Sequence, residues 1–278
     1  MEESSRRLLG AAGIDPASVT ERSGGSGTAV LTWPGRAAKH YRPGFDDYSG
    51  LGPVATAEKV VAAARHLPEL GVPVPAVIDV LRTADEALVI SEAVPAAPFT
   101  WAHRLEAARV LRRLHDIEPA SLAEDLRLPV LRSRRNAGRI RIGVERSAAV
   151  LDGADPGWRA GPVGIRVLSL LAAGEPEPGD RLVHGDYFSV NLLADGDGVL
   201  VIDWDLLSRG DPMWDLAFLV GADPGLPTLV VEQVLDAYGR HRIDSAALEW
   251  HMECWSLFWL LRHLAAARRQ PAGGTPIG

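Results

Sequence analysis

Cysteine occurs once in this chain of 278 residues, as Cys254. A lone thiol forms no internal disulfide, so a disulfide-stapled secreted scaffold is excluded and a reducing cytoplasm is the expected compartment. No apolar run approaches the roughly 20 residues that a membrane helix needs, so no membrane partner is expected. The opening MEESSRRLLG lacks the apolar core of a signal peptide. Basic charge is short as well: 29 Lys+Arg stand against 36 Asp+Glu, a formal net charge of -7. A nucleic-acid binder carries the opposite balance, so no nucleic acid is expected. The deficit is concentrated, with residues 183–278 holding 6 basic against 13 acidic side chains. Such a field draws in cations and metal complexes, although solubility alone also accounts for it.

Lysine is the scarcest charged type: Lys39 and Lys59 are the two among 29 basic residues. A compact ammonium and a planar guanidinium do different work, so each lysine is a candidate for a role that arginine cannot fill.

What the chain does have is a hydrophobic content of 47%, enough for a packed core. Its pattern divides near PAAPF (95–99). Before it, residues 19–40 alternate apolar and polar around SGGSG (23–27) and WPGR (33–36), the signature of antiparallel strands with tight turns. Residues 54–70 have helical spacing and end at Gly71, and VPVPAVIDVL and EALVISEAV read as two more strands. After the break the chain is mostly helical, with helices expected at 103–116, 214–221, 228–241 and 245–269 and a strand pair around 182–203. The expectation is an α+β fold of two lobes, residues 1–93 and 94–278.

The chemistry concentrates in VHGDYFSVNLL (183–193) and VIDWD (201–205). A strand-like run stops at His184-Gly185-Asp186, Asn191 follows five residues after the Asp, and the next strand delivers Asp203. Turn chemistry alone explains Gly, Asp and Asn in a loop. Two carboxylates and a carboxamide at one end of a strand pair are also hard oxygen ligands of the kind that hold Mg²⁺ together with substrate phosphates.

These motifs, with GDPMWDLA (210–217), resemble the aminoglycoside phosphotransferase and choline kinase family, distant relatives of the protein kinases. The resemblance covers roughly residues 19–263. It implies a bilobal protein-kinase-like fold, a small β-rich N-lobe for the nucleotide and a larger helical C-lobe. Asp186 would orient the acceptor hydroxyl and accept its proton; Asn191 and Asp203 would hold Mg²⁺ at the phosphates of ATP, with GTP as the alternative nucleotide. Lys39 would contact the α- and β-phosphates, held in place by Glu58. Lys59, its neighbour on the helix, reads as a surface residue. SGGSG, with Ser26, would bend over the phosphates. LVISEAV resembles the interlobe hinge of the aminoglycoside 3′-phosphotransferases, with the Ser91 carbonyl and the Ala93 N–H facing adenine.

His184 reads as loop support, Asp211 as a helix N-cap before Pro212, and Asp215 as a brace for the catalytic loop. Seven residues separate Asp203 from Asp211, leaving no platform for a peptide strand, so the expected acceptor is a small molecule. Asp223, Glu249 and Glu253 are candidates for an acidic acceptor pocket, with a solvated helix face as the equal alternative. The arginines at 132, 134, 135, 139, 141 and 146 read as a solvated stripe. Three functions follow: a kinase inactivating a cationic antibiotic and so conferring resistance, a metabolic kinase for choline, homoserine or a sugar, or a non-catalytic nucleotide binder. The intact motif set weighs against the last. A monomer or a homodimer is expected.

Overall fold

A computed structural model of the chain describes residues 1–23, 28–45, 50–95, 97, 99–135, 139–154, 156–221 and 225–269. Helix α1 (Glu3–Ala11) leads into strands β1 (Thr20–Ser23), β2 (Ala29–Trp33) and β3 (Arg36–Tyr41). Helix α2 (Pro53–His66) follows, then β4 (Val77–Arg82) and β5 (Ala87–Glu92). The five strands form one antiparallel sheet in the order β1-β2-β3-β5-β4. Gly35, at φ 71°, supplies the positive backbone angle that the tight β2–β3 turn requires. Leu8 and Leu9 of α1 pack on Leu31, Leu88 and Ile90 of the sheet. On α2, Pro53 sits in the first turn, where its missing N–H costs nothing.

The larger part is helical. It contains α3 (Trp101–Asp116), α4 (Glu124–Arg132), α5 (Arg139–Ala154), α6 (Pro162–Ala173), α7 (Pro212–Gly221), α8 (Thr228–Tyr238) and α9 (Ser245–Arg269). Thr100 and His103 make a reciprocal capping box at the start of α3. Leu111 and Leu114 of α3 meet Leu216 and Ala217 of α7 and Val234 of α8 in the main core. Four short strands interrupt the helices: β6 (Arg181–Val183), β7 (Leu192–Asp195), β8 (Gly198–Val201) and β9 (Ser208–Gly210). The expected strand pair around 182–203 is in fact two pairs. β7 and β8 form a hairpin, whereas β6 pairs with β9, a strand not legible in the sequence. A small antiparallel lobe against a helical lobe is the bilobal α+β architecture expected, and the four short strands lie at the junction that carries the site. Among the described residues, no helix is long and apolar enough to cross a membrane.

Candidate active site

Strand β6 ends at Val183, and the chain turns at once. The backbone N–H groups of His184 and Gly185 donate to Asp215 Oδ2 (2.7 Å) and Oδ1 (2.9 Å), a carboxylate fully buried in the first turn of α7. Trp214 Nε1 donates to Gly185 O at 3.1 Å from the same turn. Gly185 takes φ 87°, a region closed to most side chains. His184 then accepts the Asp186 N–H on Nδ1 (3.1 Å) and meets Ile202 O through Nε2 (3.0 Å). A proton on Nε2 satisfies both contacts, so this ring braces two loops.

The result is a presented carboxylate. Asn191 Nδ2 donates to Asp186 Oδ2 and to Asp186 O, both at 2.9 Å. With its amide nitrogen committed, Asn191 has its acceptor oxygen Oδ1 as the side-chain atom suited to a cation. Its own carbonyl accepts Ile202 N–H at 3.0 Å, which ties this loop to the strand end that carries Asp203. Asp203 has φ 67° and ψ 57°, the one non-glycine residue with positive φ among the described residues. Left-handed backbone at an aspartate is tolerated but stores strain, and such strain gathers at functional sites.

Lys39 closes the constellation. From β3 its Nζ donates to Asp203 Oδ1 and Asp205 Oδ2, both at 2.6 Å. Two residues along the same strand, and so on the same face, Tyr41 donates its hydroxyl to Asp205 Oδ1 at 2.6 Å. Burial opposes the Lys39 charge, but Asp205 and Asp203 outweigh it and hold the ammonium above its ordinary range. Burial also pushes against an ionised Asp203, and the Lys39 charge overrides it, keeping that carboxyl below its ordinary value. Asp205 goes the other way: burial, with Asp203 adding to it, raises its carboxyl although Lys39 pulls it down. Asp186 and Asn191 are thus tied through Ile202, the neighbour of Asp203, to the pair that Asp203 makes with Lys39.

Other expectations are corrected. Glu58 does not reach Lys39; it is half exposed and accepts from Arg82 Nη1 at 2.7 Å, because the helix turns it toward β4. Its neighbour Lys59, expected on the surface, is fully buried and points at the loop after Asp203. The Ala93 N–H is donated to Gly35 O at 3.2 Å, so a contact with a base requires that bond to open. Ser91 lies on β5 with its hydroxyl on Ala37 O at 3.3 Å.

Glu253 is neutralised by a two-pronged pair with Arg166 (2.8 and 2.7 Å), which removes it from a free acidic pocket. Glu249 is exposed. Ser26 and the centre of SGGSG, and likewise Asp223, lie outside the described residues. In the arginine stretch, Arg135 binds Gly179 O and Asp180, and Arg141 pairs with Glu145 one helical turn on.

The structure brought in two residues that the sequence did not assign to the site, Lys59 and Tyr41. Asp205, open in the sequence between a neighbouring ligand and a solvated acid, is buried on Lys39 and Tyr41. Tyr41 was findable from strand periodicity beside Lys39, and Lys59 from the scarcity of lysine.

Residues 24–253 match the family described as the phosphotransferase enzyme family (APH). An aminoglycoside 3′-phosphotransferase of Streptomyces fradiae is 32% identical over 202 residues, 65% of this chain and 72% of the relative. Solved structures share the fold at lower identity. A macrolide 2′-phosphotransferase of Brachybacterium faecium superposes with a TM-score of 0.62 at 20% identity, covering 99% of this chain and 100% of the other. An amicoumacin kinase solved with AMP-PNP, Ca²⁺ and its antibiotic gives 0.67 at 17% identity, over 98% and 89%.

Proposed function

The chain belongs to the aminoglycoside phosphotransferase family and is a phosphotransferase with a hydroxyl acceptor; from that premise we propose that it transfers the γ-phosphate of ATP to a small cationic antibiotic and so inactivates it. An aminoglycoside is the first candidate. The observation that carries this reading is that Lys39 pairs with Asp203 while the adjoining Ile202 N–H holds Asn191, which in turn holds Asp186, so that a phosphate-binding cation, metal-type oxygens and a base are drawn together. The 32% identity with an aminoglycoside enzyme and the acidic last third support the acceptor class.

Residues 1–93 would hold the nucleotide and 94–278 the acceptor, with the transfer site between them. Asp186 orients the acceptor hydroxyl and takes its proton as the phosphoryl group moves. Asn191 keeps that carboxylate in a fixed plane, and Lys39 neutralises the α- and β-phosphates. In-line transfer demands placement and charge compensation more than covalent help.

The donor set fits Mg²⁺. Asn191 Oδ1 and the Asp203 carboxylate are hard oxygens, and their number leaves positions for phosphate oxygens and water. Among the described residues, no three His, Cys, Asp or Glu gather to hold a metal on their own. Held by Asn191 and Asp203, such an ion would supply positive charge that neutralises the phosphates. Asp203 would then serve as a metal ligand, while Asp205, which also accepts from Lys39, would keep the lysine in place.

The test is ADP release from ATP and Mg²⁺ across aminoglycosides, peptide antibiotics, macrolides, choline and homoserine. Turnover with a cationic antibiotic is expected. Turnover with choline or homoserine alone contradicts the antibiotic assignment. Asp186→Ala should lower transfer at least 100-fold, the scale of a lost general base, while ADP still binds; retained turnover removes Asp186 from its role.

A further inference from the structure

Both lysines of the chain reach one loop, each from a different element. Lys39 reaches the Asp203 and Asp205 carboxylates from β3. Lys59 reaches the backbone of the same loop from α2, donating to Asp205 O at 2.8 Å and Leu207 O at 3.0 Å. Its third contact is Ser133 Oγ at 3.0 Å, at the C-terminal end of α4. Ser133 spends its own proton on Pro129 O (2.9 Å), so toward Lys59 it accepts. Among the described residues, three acceptors face Lys59 Nζ, and three N–H groups to meet them are what the ammonium form supplies.

A fully buried ammonium is costly unless it is saturated in this way, and an aliphatic side chain would fill the same space more cheaply. Its placement explains the cost. Of the two carbonyls it holds, Asp205 O lies within the short turn Trp204–Leu206 and Leu207 O just after it, directly downstream of the strained Asp203. Strained backbone persists only where its surroundings over-determine it. Glu58, one residue away, faces Arg82 and plays no part in this.

We propose that Lys59 is a positioning residue for nucleotide binding: it locks α2 and the end of α4 to the loop 203–207 and thereby sets Asp203 and Asp205 at Lys39. The coupling is reversed in polarity from a helix glutamate gripping the strand lysine. Here a helix cation grips the loop, and the loop's own carboxylate, Asp205, grips the strand lysine. This inference rests on the assignment of Lys39 and Asp203 to the nucleotide.

Calorimetric titration of the full chain with Mg·AMP-PNP and, separately, with adenosine tests it. Lys59→Met should weaken Mg·AMP-PNP at least 10-fold and change adenosine less than twofold, because the loop meets the metal–phosphate end alone. Ser133→Ala, which removes one of the three acceptors, should weaken Mg·AMP-PNP about threefold with adenosine again unchanged, and Glu58→Gln should leave both within twofold.

Unchanged Mg·AMP-PNP affinity in folded Lys59→Met, or an equal loss for both ligands, overturns the proposal. So does a Glu58→Gln loss as large as that of Lys59→Met. Should Lys59→Met fail to fold, Ser133→Ala decides by the same comparison. Lys39→Ala separates the two levels of the argument. If it binds Mg·AMP-PNP like the wild type, the nucleotide site itself is misplaced; if it alone weakens binding, only the role of Lys59 falls.

Discussion

At Asp215 a single buried carboxylate takes the N–H groups of both His184 and Gly185, and these precede the presented Asp186. An asparagine there offers one acceptor oxygen and turns an N–H₂ toward the other backbone donor. Asp215→Asn should cost about 2–3 kcal/mol, the scale of a charge-assisted bond lost with a donor left unpaired. Thermal unfolding of the variant checks the stability, and transfer should fall with it as the loop slackens. An unchanged midpoint would mean that the loop is held by other means.

Part of the loop was readable because some of its partners are close in sequence: His184 to Asp186, and Asp186 to Asn191, span two and five residues. Lys59 was not readable in the same way. Its neighbours, the carbonyls of Asp205 and Leu207, lie far along the chain, and a charged helical residue is by default placed in water. Glu58 failed for a related reason: spacing put it on the right helix, but the rotation of α2 decided which of two adjacent side chains faced the site.

Among elements, the strands of the first lobe were legible because alternation and tight turns are local signals, whereas β9 was not. Three residues, Ser-Arg-Gly, carry no period, and only pairing with β6 makes them a strand. The contact between α6 and the turn Pro156–Ala160 shows what sequence hides. A Cβ on Gly164 would lie 2.3–2.6 Å from the Arg159 backbone, so that helix packs main chain against main chain. Alanine is the better helix former by about 1 kcal/mol, yet Gly164→Ala has to push two elements apart. A net loss of about 1–3 kcal/mol is expected from such overpacking, measured as a shift in the urea midpoint. A stabilised variant would show that α6 can slide freely.

For the whole molecule, the two lobes meet where Lys39 from the sheet lies against Asp203 and Asp205 from the helical part. Acceptor choice belongs to this scale and was the least legible feature. Charge counting pointed to Glu253, but folding places Arg166 on it. The proposed reaction, by contrast, rests on a few residues that the fold brings together.

A crystal of the chain with AMP-PNP and Mn²⁺ in place of Mg²⁺ tests that geometry most directly. The account predicts an anomalous Mn²⁺ peak ligated by Asn191 Oδ1 and Asp203, with Lys39 moved onto the phosphates and Asp186 beside the γ-phosphate. A nucleotide bound outside this cleft, or a metal on neither Asn191 nor Asp203, would contradict it.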